Sequence, residues 1–161
     1  MTDVFAGQGV EDFSDLLLAA SLAAIEEKPA AEITSQSDFI VATLRNAAAQ
    51  APQNGTSGTQ IAAGVVADQI DRAINMYREA SSTEQYEPYL DGYGFFKTAE
   101  ALYEESEADI SQTYPELSRE IASAIALLVD AYPSAVRPDE LNVDQRQLTV
   151  AGSNIALALP R

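Results

Sequence analysis

The chain contains no cysteine and no histidine. Without thiols it can form neither a disulfide scaffold nor a thiolate nucleophile, and without imidazole it cannot form a Ser-His-Asp relay of its own. A zinc finger is excluded for the same reason, because its ligands are cysteine and histidine. No glycine-rich phosphate loop and no EF-hand pattern occurs. We therefore expect no enzymatic activity, and none of these patterns implies a cofactor.

Long apolar segments are also missing. No run of about 18 apolar residues is present, so we expect no membrane insertion. The first residues, Met1 to Phe5, lack the basic and apolar regions of a signal peptide. A chain from which a signal peptide had been removed would look the same, so extracytoplasmic and cytoplasmic locations both stay open.

Basic residues are scarce. Nine Lys and Arg stand against 25 Asp and Glu, which gives a net charge of −16. Such a surface repels phosphate backbones and anionic lipids, so nucleic acid is not expected as a partner. It attracts cations and basic proteins. The alternative explanation of the acidity, which we favour, is solubility or adaptation to high salt, in a chain whose only lysines are Lys28 and Lys97.

Alanine, in contrast, is abundant. The 28 alanines favour helix, and the apolar residues recur at helical spacing. We predict an all-α, up-down helical bundle of five or six helices: a flexible arm over residues 1–9, and one domain over residues 10–161. The predicted helices cover residues 10–27, 37–50, 59–81, 84–107, 115–132 and about 141–159. The first, third, fourth and fifth are expected to form a four-helix core, with the others covering its sides.

Four of the six predicted helices have an apolar side that we expect to be buried. These sides are Leu18, Leu22 and Ile25 in the first helix; Phe39, Ile40, Leu44 and Ala48 in the second; Ile61, Val65, Ile70, Ile74 and Tyr77 in the third; and Leu117, Ile121, Ile125, Leu128 and Tyr132 in the fifth.

The fourth predicted helix carries an unusual face. Its members recur at steps of three and four residues: Tyr89, Tyr93, Phe96, Glu100 and Tyr103. A carboxylate within an aromatic stripe needs a partner, because burying an unpaired charge is costly. Either Glu100 pairs with an arginine of a neighbouring helix (Arg72, Arg78 or Arg119), or it joins other oxygen ligands in a site for a hard cation. The candidate metal ligands are Glu100, Glu104, Tyr89, Tyr93 and Asp91.

Two segments near this helix resemble a known family. Residues 70–78, IDRAINMYR, and residues 89–93, YLDGY, are similar to the extracytoplasmic helical region of bacterial oxidase-dependent iron permeases and to imelysin-like iron-uptake proteins. The imelysin-like Gly-x-His-x-x-Glu motif is altered, because Phe96 stands in place of its histidine and Glu100 lies one residue further along. The resemblance implies an all-helical, periplasmic module in iron uptake, with iron as the possible metal and a membrane permease as the possible partner.

Two functions follow as hypotheses. The first is an extracytoplasmic helical binding module associated with metal uptake, in which iron is the metal that the resemblance implies. The alternative is a non-enzymatic structural or adaptor bundle that binds a protein partner through its acidic surface.

Overall fold

The computed structural model describes residues 13–49 and 55–160. All regular secondary structure within these ranges is helical, which confirms the all-α prediction. The helices are α1 (Phe13–Ile25), α2 (Ala30–Ala49), α3 (Gly58–Ala80), α4 (Glu87–Thr113), α5 (Pro115–Ala131) and α6 (Gln145–Ala158). Across the described residues, no helix is long and apolar enough to cross a membrane.

The backbone groups into two compact units, Met1–Asn54 and Gly55–Arg161. The first contains α1 and α2 and is called the hairpin unit; the second contains α3 to α6 and is called the bundle unit. The boundary between these units falls inside the single domain predicted over residues 10–161, which stays a prediction. The predicted arm over residues 1–9 lies outside the described residues.

The bundle unit has the up-down topology of a four-helix bundle. Tyr103 of α4 hydrogen-bonds Ser118 of α5, and the ring of Tyr89 lies 5.1 Å from that of Tyr132, so α4 and α5 are antiparallel. The same reasoning applies to α5 and α6, where Asn154 donates to Glu120. Our assignment of the core helices needs correction, because the fourth helix of this bundle is the last one and not the first.

Capping residues explain where the bundle helices begin. The side chain of Ser57 accepts the backbone N–H of Gln60 at 3.1 Å, and Asp144 accepts that of Arg146 at 2.8 Å. Pro88 and Pro115 stand in the first turns of α4 and α5, where a missing N–H costs nothing. The predicted start of the fifth helix at residue 115 is confirmed, but α4 starts three residues later and runs six residues further than predicted.

The hairpin unit turns sharply between its two helices. Glu27 has a positive φ of 52°, and Lys28 N–H donates to the Ala23 carbonyl while Glu27 N–H donates to that of Ala24. This is a Schellman motif with glutamate at the position that favours glycine. Helix α2 begins at Ala30, seven residues before the predicted start, because Pro29 and the alanines after it suit a first turn.

The predicted buried sides are only partly right. The prediction for α5 is confirmed. In contrast, Leu18, Leu22 and Ile25 of α1 are 46–73% exposed. Phe39 and Leu44 of α2 are 59% and 43% exposed. Ile61 and Val65 of α3 are also exposed. Alanines occupy the inner faces instead: Ala23, Ala47, Ala63, Ala67, Ala73, Ala80, Ala99, Ala124, Ala131 and Ala151.

Candidate functional site

The five predicted metal ligands do not converge. Tyr89, Tyr93, Glu100 and Glu104 share one side of α4, whereas Asp91, two residues after Tyr89, lies on the opposite side. Asp91 and Glu104 are thirteen residues apart, which is about 20 Å along a helix axis. A hard cation holds its oxygen ligands at roughly 2.3–2.6 Å, so one ion cannot bind all five. In the part of the chain that the structure describes, no three His, Cys, Asp or Glu side chains are placed to share a metal ion. Metal binding at these residues stays a prediction.

Glu100 lies at the edge of the aromatic stripe. Its side chain is 23% exposed and forms an ion pair with Lys97, one turn earlier on the same helix. The expected partner arginines are engaged elsewhere: Arg72 binds Asp68, Arg78 binds Asn75, and Arg119 pairs with Glu116 and Glu120. Of the two alternatives for Glu100, pairing with an arginine of a neighbouring helix was therefore wrong, since Lys97 lies within reach on α4 itself. Glu104 and Asp91 are exposed.

The tyrosines of α4 have structural partners. Tyr89 is fully buried, and its hydroxyl donates to the Ser134 carbonyl at 2.8 Å. Tyr93 is half-buried, with its ring 6.4 Å from that of Phe96. Tyr103 bonds the hydroxyl of Ser118 at 2.7 Å. Of these three, Tyr89 is the one that bonds the segment after α5, at Ser134.

That segment, residues 132–144, is called the anchored loop. Four tyrosine hydroxyls fix it: Tyr132 donates to the Ala73 carbonyl at 2.8 Å, Tyr86 to that of Ala135 at 2.6 Å and Tyr89 to that of Ser134, while Tyr77 accepts the Val143 N–H at 3.0 Å. A loop of this length without regular structure normally costs conformational entropy, which such anchors offset.

Arg137 is the second anchor of the loop. Its guanidinium donates to three backbone carbonyls, those of Ala80 at 3.1 Å, Thr83 at 2.8 Å and Gln85 at 2.7 Å. Ala80 ends α3, where the last carbonyls have no partner within the helix. Arg137 therefore satisfies this helix end and ties the α3–α4 connection to the anchored loop.

Tyr132 occupies the centre of the aromatic cluster beneath the loop. Its ring meets Tyr77 edge-on at 5.6 Å and stacks on Phe96 at 6.2 Å. Burial raises the pKa of the Tyr132 hydroxyl well above its ordinary value, and burial also raises the pKa of Tyr89 and Tyr77. Gly92 makes room for Tyr132, because a Cβ there would lie 1.9 Å from the tyrosine hydroxyl.

An open cleft of about 220 Å³ lies between the end of α5 and the anchored loop. Apolar groups form much of its lining, among them Tyr77, Pro133 and Pro138. Two exposed carboxylates, those of Asp130 and Glu140, also line it. The geometry suits a cationic side chain with a long aliphatic stem, since the stem can pack on apolar surface while its charge meets the carboxylates.

The charge of the anchored loop is one-sided. Asp139, Glu140 and Asp144 are exposed acids. The only basic residue between 130 and 144 is Arg137, and its guanidinium already donates to backbone carbonyls. Beside the loop, Tyr86 and Val136 are 43% and 73% exposed. The cleft beside the anchored loop was not predicted from the sequence. No local signal for it exists, because the anchors of the loop join distant residues: Tyr86 and Ala135 are 49 positions apart, and Tyr77 and Val143 are 66 apart.

Comparisons with known proteins give no relative from which a role could be transferred. No family model, no curated protein and no solved structure matches the chain.

Proposed function

We propose that the chain is a non-enzymatic helical adaptor, and that its bundle unit binds an arginine- or lysine-rich segment of a protein partner at the anchored loop. The observation that carries this proposal is the cleft, where the carboxylates of Asp130 and Glu140 lie beside an apolar lining that includes Tyr77. A planar guanidinium meets carboxylates in bidentate fashion, so arginine suits the site better than lysine.

The anchoring supports binding as well as stability. A loop whose conformation is already fixed loses little entropy when a partner docks, which favours affinity. The exposed Tyr86 and Val136 lie where a neighbouring apolar residue of the partner can pack. The net charge of −16 accelerates encounter with a basic partner and makes the association sensitive to salt. Iron uptake and a periplasmic location stay predictions from the resemblance.

The test is a selection from fluorescein-labelled peptides that carry two or three arginines among leucines and serines. The best binder is measured by fluorescence anisotropy against the full chain. Asp130→Asn/Glu140→Gln should weaken it by about fivefold or more, because two charged contacts are lost. Glu104→Gln/Glu107→Gln removes the same charge from α4 and should change the affinity less than about twofold. Equal losses in both variants would mean that only the net charge matters, and would contradict a site at the loop.

A further inference from the structure

The last helix of the bundle unit differs from the others in its charge. Residues 145–161 contain no Asp or Glu, although the chain has 25, and among the helices that the structure describes α6 alone has no acidic residue. Two apolar side chains project from it, with Val150 58% and Leu157 83% exposed. In a protein with a net charge of −16, a surface without acids is where a second acidic molecule can approach with the least repulsion.

A groove runs along the seam between α5 and α6. Its larger part has a volume of about 480 Å³ and lies beside Val150 and Ala151. A second part of about 270 Å³ extends the groove to Leu157. Glu120 and Asn154 line both parts, so the two are continuous. This surface is called the seam face, and its members are Glu120, Arg146, Val150, Ala151, Asn154 and Leu157.

The seam face is basic at one end and acidic at the other. Arg146 lies in the first turn of α6, and its guanidinium forms no hydrogen bond or ion pair with any described residue. Asn154, about 12 Å further along the same helix, donates to Glu120 at 3.1 Å. Glu120 also pairs with Arg119 at 3.3 Å, but a carboxylate accepts about four hydrogen bonds, so it can take a further donor. The groove thus has an unpaired cation at one end and a carboxylate that can accept one at the other.

We propose that a second copy of this chain covers the seam face, and that the two copies are related by a two-fold axis perpendicular to α6 near Val150. Such an axis makes the two α6 helices antiparallel, so that residue 146 of each copy lies opposite residue 154 of the other. The guanidinium of Arg146 then meets Glu120 of the second copy, and the same pair forms again at the other end of the interface. A parallel arrangement would bring the two Arg146 side chains together and is disfavoured by their repulsion.

The chemistry of the seam face favours a second copy over the basic partner proposed for the anchored loop. Glu116 and Glu120 are balanced there by Arg119 and Arg146, so a basic segment would find no excess of negative charge. Helix α6 itself has what the groove requires, because its first-turn arginine is followed by exposed apolar residues one and three turns later. Anchors at such spacing are those by which an amphipathic helix lies in an apolar groove.

The size of the seam face determines the expected affinity. The shorter of its two helices, α6, has 14 residues and is about 21 Å long, and two adjacent helices are about 20 Å wide. The face therefore covers on the order of 400 Å² in projection, at the low end of specific interfaces, which bury roughly 800 Å² of accessible surface per partner. We expect a dissociation constant of about 10–100 μM.

The mass of the full chain in solution is the first test. In sedimentation equilibrium between about 1 μM and 1 mM, the mean mass should rise from the 17.2 kDa of one chain towards twice that value. Val150→Gln/Leu157→Gln should raise the dissociation constant by about tenfold or more, because apolar burial is lost. Ile61→Gln/Val65→Gln is the control on α3, where the side chains are 51% and 41% exposed, and should change the constant less than about threefold. A monomer at every concentration, or equal effects of the two variants, would overturn the proposal.

The second test exchanges the two charges. Arg146→Glu and Glu120→Lys each place like charges together at both ends of the dimer, so each variant alone should associate about tenfold more weakly. An equimolar mixture of the two variants restores both pairs in the heterodimer, which should form with the wild-type constant to within about threefold. Repulsion between net charges predicts the opposite for Glu120→Lys, since it changes the net charge from −16 to −14 and would tighten the dimer. A tighter Glu120→Lys dimer, or a mixture as weak as the single variants, would overturn the proposal. Far-UV circular dichroism establishes that each variant is folded before it is scored.

Discussion

The two units of this molecule use alanine in the same way but with different results. In the bundle unit, alanine faces bring the helices close and aromatic or aliphatic side chains fill the remaining space, as Tyr77, Tyr89 and Leu128 do at about 1% exposure or less. In the hairpin unit, the alanines Ala23 and Ala47 are buried, and the large side chains project outward. Four helices can enclose their leucines, whereas two helices have no further layer to cover them.

The difference shows that apolar content does not measure how well a unit is buried. Helix α1 has a more apolar composition than any helix of the bundle unit, yet most of its large residues are exposed. Helix α4 is acidic over much of its length, yet it contributes three buried aromatic rings to the core, those of Tyr89, Phe96 and Tyr103.

Gly92→Ala should produce the largest loss of stability. The added methyl group would meet the Tyr132 hydroxyl and displace the ring from its hydrogen bond, which we expect to cost about 3–5 kcal/mol. Gly94→Ala is the matched control on the same helix: its Cβ would meet nothing within 4 Å, so it should stabilise α4 by roughly 0.5–1 kcal/mol. Urea unfolding of both variants, followed by hydrogen exchange, checks the prediction, and similar midpoints would contradict it.

Arg137→Ala should cost about 2–3 kcal/mol, because three backbone carbonyls lose a charged donor. Arg119→Ala is the control, since its ion pairs with Glu116 and Glu120 are exposed and should contribute less than about 1 kcal/mol. Thermal unfolding measures both. Faster hydrogen exchange in the anchored loop of the Arg137 variant alone would show that the guanidinium holds that loop.

Tyr132→Phe should cost roughly 1–2 kcal/mol at neutral pH through its lost hydrogen bond to Ala73. Burial raises the pKa of this tyrosine in the folded state, so its contribution is complete below the unfolded pKa of about 10 and is lost as the pH rises beyond it. The wild-type free energy of unfolding should therefore fall above pH 10 by up to about 1.4 kcal/mol per pH unit for each such tyrosine. The Phe variant should fall less steeply; parallel pH curves would exclude Tyr132 as a source.

Glu27→Gly should stabilise the hairpin unit by about 1 kcal/mol, because glycine adopts a positive φ without the steric cost that glutamate pays. Glu26→Gly, one residue earlier, has no such strain to relieve and should be neutral or destabilising. Hydrogen exchange of the α1 and α2 amides measures the change. Equal effects of the two substitutions would show that the Schellman turn is not a determinant of this unit.

The predicted metal site has the smallest expected effect. Glu100 is already paired with Lys97, so a cation bound there must compete with the lysine ammonium and would bind weakly. If the site exists, Glu100→Gln should reduce the heat of a ferric citrate titration, and Glu107→Gln, a nearby change of equal charge, should not. No heat with the wild-type chain rules out direct iron binding under those conditions.

The sequence predicted all six helices because apolar periodicity, proline, glycine and capping residues act locally, although the predicted start of α2 was seven residues too late. Pro115 begins α5 and Ser57 caps α3, and both effects involve only the first turn of the helix concerned. The stripe of Tyr89, Phe96 and Tyr103 was likewise recognisable from spacing alone. Its interpretation was not, because spacing could not show that Glu100 turns toward Lys97 or that the Tyr89 hydroxyl meets a carbonyl 45 residues away.

By itself, the sequence determined that this protein is helical, acidic and without thiol or imidazole chemistry, since propensity, charge and composition are properties of individual residues and their near neighbours. Only the tertiary structure decided which apolar residues are covered and where the anchored loop lies. Those depend on contacts such as Tyr132 with Ala73 and Arg137 with Ala80, which are 59 and 57 residues apart in the chain. Burial of a leucine is likewise decided by how many helices surround it, which is why Leu128 is buried while Leu22 is exposed.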